Sequence, residues 1–83
     1  MLKNNPTTFE YNSTVFDKED LCMLITPMVV ILPDNKAVHC WYYTVNAEGS
    51  FLVNCGGDLE VLNVIAIDSS DDDLIAYCES LIF

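Results

Sequence analysis

Met28-Val29-Val30-Ile31-Leu32, Pro33-Asp34-Asn35-Lys36, Ala37-Val38-His39-Cys40-Trp41-Tyr42-Tyr43-Thr44-Val45, Asn46-Ala47-Glu48-Gly49-Ser50 and Phe51-Leu52-Val53-Asn54 follow one another without interruption. Three runs are dense in β-branched and aromatic side chains, which fit a pleated, half-buried surface. The two segments between them carry turn chemistry: Pro33, Asp34 and Asn35 in the first, Asn46 and Gly49 in the second. Short turns between strands give antiparallel neighbours, so residues 28–54 predict a three-stranded meander.

Outward from that centre, Leu59 to Ile67 is rich in Val and Ile and alternates as a strand, with Asn63 the exception. Beyond it, Ser70 is the expected helix cap, with Asp71 and Asp72 in the first turn, where the helix dipole favours carboxylates. Leu74, Cys78, Leu81 and Ile82 keep one apolar face on that C-terminal helix. Towards the N-terminus, Thr8 to Phe16 reads as a single half-buried strand, with Phe9, Tyr11, Ser13 and Val15 on one side. Asp17-Lys18-Glu19-Asp20 reads as the start of a short helix, which must end before Pro27 because a proline biases the preceding residue away from helical angles. The expectation is an α+β fold: a small antiparallel sheet of four or five strands with a short N-terminal helix and a C-terminal helix. At 83 residues the chain, 1–83, is expected to form one acidic domain.

Charge is the strongest functional signal. There are 13 acidic residues against three bases, Lys3, Lys18 and Lys36, giving a formal net charge of −10. Such a surface repels nucleic acid and anionic membrane and attracts basic proteins. Solubility alone asks for a net charge of only about 2–8 in magnitude in a small domain. Crowded carboxylates destabilise a compact state, so their retention with so few counter-charges points to a use. The candidate contact residues are the cluster Asp68, Asp71, Asp72, Asp73, with Glu79 about two turns on, and the second cluster Asp17, Glu19, Asp20. The bland alternative is a solvated helix start. On the central strand, His39, Trp41 and Tyr43 alternate onto one face and form a candidate contact patch, since Trp and Tyr favour interfaces.

Other chemistries find less support. A twelve-residue calcium loop counted from Asp68 needs glycine at its sixth position, and Asp73 stands there. No two of Cys22, Cys40, Cys55 and Cys78 have the close spacing of a structural zinc site. His39 and Cys40 point to opposite faces of a strand and share neither a metal nor a catalytic proton. Cys55 precedes Gly56-Gly57, whose amides could hold an anion, but a net charge of −10 opposes a thiolate. The reading is therefore no enzyme, no cofactor and no metal. No targeting segment is visible at Met1-Leu2-Lys3-Asn4-Asn5-Pro6, and no apolar run approaches a membrane span. A cytoplasmic protein with reduced thiols is expected.

In size and acidity the chain resembles phage-encoded inhibitors of the anti-CRISPR and anti-restriction type, which mimic DNA. No stretch carries a family motif, so no residue role transfers. The resemblance implies a basic partner, a nucleic-acid-binding protein of the host cell, whose phosphate-holding groove would accept carboxylates instead. It implies no direct contact with nucleic acid. Two alternatives remain: an antitoxin-like or immunity-like module, or a homodimer, binding through the aromatic strand face, and a small enzyme or metal protein using Cys55 or the aspartates.

Overall fold

The computed structural model describes residues 8–83, leaving Lys3 outside the described residues. It is mostly antiparallel sheet with one C-terminal helix. β1 (Thr8–Tyr11) and β2 (Thr14–Asp17) pair as a separate two-stranded ribbon. The main sheet has the order β3 (Cys22–Ile31), β4 (Ala37–Asn46), β5 (Gly49–Cys55), β6 (Val61–Ile67), every neighbour antiparallel. Helix α1 spans Asp72–Ser80.

The two turns of the central meander fall where the sequence places them, but β3 begins at Cys22 rather than Met28, and the strand expected over 59–67 begins at Val61, after a 3₁₀ turn that ends at Leu59. The β4–β5 connection closes on Gly49 at φ 135°, a conformation that side chains oppose. Three further expectations are corrected. Residues 8–16 do not form one strand. Asn12 and Ser13, at φ 51° and 67°, make a two-residue reversal between Tyr11 and Thr14. Positive φ at both central residues is the hairpin turn whose twist matches its strands. The reversal resets the alternation, so Phe16, not Val15, joins Phe9: their rings stack at 5.1 Å, while Val15 is exposed.

The expected N-terminal helix is only a single 3₁₀ turn, Lys18–Asp20. Asp17 does cap it, accepting from the Glu19 amide at 2.9 Å, but the chain then enters β3 at once. Pro27 sits inside that strand, where the pairing with β4 shifts register between Met23 and Met28. Proline is tolerated there because β3 is an edge strand. Finally, the cap of α1 is Asp71, which accepts from the Leu74 amide at 3.1 Å. Ser70 instead donates its hydroxyl to Asp68 at 2.8 Å.

The core lies between α1 and one face of the sheet. Leu24, Val38, Cys40, Tyr43, Leu52, Ile67 and Cys78 form it, with Met28, Val30, Leu74 and Ile75 packed around them. Leu24, Leu52 and Val53 are essentially fully buried, each stabilising the fold by roughly 1.5–3 kcal/mol relative to exposure. On the opposite face the β1–β2 ribbon sets Phe16 edge-on to Phe51 at 4.9 Å. After α1 the chain returns to the β3 edge: Ile25 donates to the Leu81 carbonyl at 2.7 Å and Phe83 to the Met23 carbonyl at 3.0 Å.

Candidate functional site

Strand direction decides where the carboxylates go. Because Val45 pairs with Ser50 and Ser50 with Ile67, these residues form one row across the sheet near its end. Glu48 lies in the turn beyond that row, and Asp68, Asp71, Asp72 and Asp73 follow directly from Ile67. The 3₁₀ turn that leads into β3 brings Glu19 and Asp20 to the same end. There they line a cavity of about 430 Å³ with Glu79, Cys22, Tyr43, Thr44, Val45 and Ile82. Eight of the thirteen acidic residues thus stand at one end of the sheet. Asp34, Asp58 and Glu60 lie at the other end, with Lys36, and Glu10 is on β1.

The residues expected to make contacts therefore group unevenly. Glu19, Asp20 and Glu79, separate in sequence, meet around one cavity. Asp68, Asp71, Asp72 and Asp73 stay a local run, all exposed, at the start of α1. Asp17 borders the first group as the cap of its 3₁₀ turn. The Asp68 carboxyl is held below the usual range by the Ser70 amide at 2.9 Å and then by the Ser70 hydroxyl. Hydrogen bonds to the charged form favour it, so this carboxylate stays ionised further into acid.

The aromatic patch is corrected. Trp41 is 42% exposed, but Tyr43 is 2% exposed and lies in the core beneath α1. Val38, Cys40 and Tyr43 all enter that core, so the alternation of β4 skips a step between Cys40 and Tyr43. The skip coincides with the register shift against β3. The Tyr43 hydroxyl hydrogen-bonds the Ser50 hydroxyl at 3.3 Å. Burial pushes its pKa up, the bond to Ser50 pulls it partly back, and the neighbouring charge of Glu79 pushes it up again. Tyr43 is thus a floor of the acidic cavity, not a surface contact.

Trp41 keeps different company. Met28 opposes Cys40 and faces the core, so Val29 and Ile31 point the other way with His39 and Ala37, while Trp41 is exposed at the skip in β4. Val29 is 51% and Ile31 61% exposed, making this an open apolar strip on β3 and β4. Composition alone does not reveal it, because Val29 and Ile31 read as ordinary sheet interior.

A polar feature also becomes intelligible. Asn63 donates its side-chain amide to the Asn54 side-chain carbonyl at 3.3 Å, and Asn54 donates to the His39 carbonyl at 2.7 Å. The paired rungs between β4 and β5 begin at Tyr42 and Val53, so this relay bridges the strands where the ladder stops.

The thiols differ in burial. All four cysteines are free, with Cys40 and Cys78 buried. Burial, followed by the proximity of Cys55 and Cys78, pushes the Cys40 thiol up to about 11. Burial likewise pushes Cys55 up, with Lys18 opposing, which disfavours the nucleophilic thiolate at neutral pH. Among the described residues no three His, Cys, Asp or Glu side chains group as a metal site, and no helix is long and apolar enough to cross a membrane. Comparison of the chain with family models, with curated proteins and with solved structures finds no match.

Proposed function

We propose that this chain is an acidic interaction protein whose carboxylate-bearing sheet end docks on a basic protein surface. The foremost target class is the phosphate-holding groove of a nucleic-acid-binding protein, which the chain would block as a DNA-mimicking inhibitor of the anti-CRISPR or anti-restriction type. One observation carries the reading: eight of thirteen acidic residues gather at one end of the sheet. A groove built from Lys and Arg to hold phosphates also holds carboxylates, through charge-assisted hydrogen bonds. Clustering of one sign strengthens steering towards such a groove and costs the free fold self-repulsion.

The test is capture of the partner on immobilised chain at low salt, followed by elution with salt and competition with duplex DNA. The expected result is elution by both, and loss of capture when Asp71, Asp72 and Asp73 are changed together to Asn. Capture that survives high salt and the triple substitution would overturn the reading.

A second reading has its own observation, the open strip of Val29, Ile31 and Trp41. There the chain would bind a partner, or a second copy, through an uncharged face. Capture abolished by Trp41→Ala but unaffected by the aspartate substitutions would select it.

A further inference from the structure

The main sheet has two edges, and they are treated differently. The β3 edge carries three protections: Pro27, a register shift between Met23 and Met28, and cover by the returning chain through Ile25–Leu81 and Phe83–Met23 hydrogen bonds. These are the devices that keep an edge from pairing with another chain. The β6 edge has neither a proline nor a covering segment among the described residues, and its one irregularity is a register shift at its start, where Val61 and Asn63 pair with Cys55 and Asn54 and Leu62 is the extra residue. Val61–Ile67 reads Val-Leu-Asn-Val-Ile-Ala-Ile, without a charge or proline; from Asn63 to Ile67 the ladder is regular, and the outer N–H and C=O groups there face away from β5. Leu62, on that edge, is 50% exposed.

The charges beside it select what can pair there. Glu60 immediately precedes the strand and Asp68 immediately follows it, with Asp58 and Asp71 just outside. A second copy pairing antiparallel about Val64 would set Glu60 against the other copy's Asp68 at both ends. Like charges directly opposite destabilise a strand pair. An extended segment with apolar alternate residues and Lys or Arg at its ends meets no such conflict, since each end finds a carboxylate.

We infer that β6 is a strand-addition site that accepts an extended basic segment of a partner protein as a fifth strand of the sheet. The inference rests on the reading of a basic partner and adds how that partner is held: main-chain hydrogen bonds supply affinity, and the flanking carboxylates supply selection.

The test uses a synthetic peptide of alternating valine and threonine with paired lysines at each end, titrated into the chain while amide exchange is followed by NMR. The expected result is slowed exchange at the outward amides of Val61–Ile67. Methylating alternate backbone nitrogens of the peptide keeps its charge but removes the ladder, and should weaken binding about tenfold or more. Leu62→Lys, at an exposed position that leaves the core intact, should weaken it similarly.

Equal binding of the methylated peptide would overturn strand addition and leave the basic-partner reading standing. Equal binding of a peptide with glutamates in place of the lysines, again protecting β6, would overturn the basic-partner reading and the selection argued here. Protection of the outward β6 amides in the free chain, or such protection rising with its concentration, would mean that the edge is already covered or self-paired, and would also overturn the inference.

Discussion

Tyr43 and Ser50 share a hydrogen bond of 3.3 Å inside the sheet, directly under the cavity lined by Glu19, Asp20 and Glu79. The bond fixes an aromatic ring as the floor of the acidic end and satisfies two hydroxyls that burial would otherwise leave unpaired. Tyr43→Phe keeps the ring and orphans Ser50. A loss of about 1 kcal/mol is expected, read as a fall of about 4–8 °C in Tm. An unchanged Tm would mean that water satisfies Ser50.

The β1–β2 turn invites the opposite change. Ser13 holds φ 67°, where a side chain costs roughly 1–2 kcal/mol, and its side chain is exposed. Ser13→Gly is expected to stabilise the chain by up to about 1 kcal/mol once the greater freedom of unfolded glycine is subtracted. Urea denaturation should show a higher midpoint at unchanged slope. A lower midpoint would indicate that the Ser13 side chain contributes more to the ribbon than its geometry suggests.

Alkaline pH should unfold the chain early. Cys40 is raised to about 11, and Cys55, Cys78 and Tyr43 are raised as well. Unfolded thiols ionise near about 8.5, so above that pH the folded chain holds more protons than the unfolded one. The sign is then fixed: stability is complete below the unfolded value and declines as pH climbs towards 11, the Cys40 value. Urea midpoints followed from neutral to alkaline pH should fall, and Cys40→Ala should flatten the decline whatever it does to the starting stability.

Salt acts on the crowded end. With a net charge of −10 and eight carboxylates together, screening should relieve repulsion, and Tm should rise from low to moderate salt. Glu79→Gln should raise Tm at low salt and reduce the salt dependence. A Tm that drops with salt would show that attractive pairs dominate the folded state.

Much of the sheet could be read locally. Val29–Leu32, the Pro33–Lys36 turn, the aromatic run and the Asn46–Gly49 turn each carry their own chemistry, and the meander follows from adding them. What failed depended on partners distant in sequence. Pro27 reads as a boundary, yet an edge strand with a register shift absorbs it, and edge position is invisible until strand order is known. Trp41 and Tyr43 separate because the ladder slips against β3, not because of either residue. Asn63 breaks an apolar pattern until Asn54 appears beside it. At Asn12-Ser13 the two-residue reversal is hidden in the sequence because both flanking segments alternate in the same phase.

The candidate site was legible in composition and illegible in position. The sequence supplies thirteen acids and their two clusters. That Glu79 meets Glu19 and Asp20 follows only from the helix crossing back to β3, and that Glu48 faces the same way as Asp68 follows only from β5 and β6 being antiparallel.

The stitch from Phe83 back to Met23 also imposes an order of events on folding. It closes the long loop between residues 23 and 83, so its entropic toll makes it a late contact. Until it forms, the first half of β3 has a bare margin like that of β6, so a chain not yet closed at Phe83 offers two sticky borders where the finished molecule keeps one.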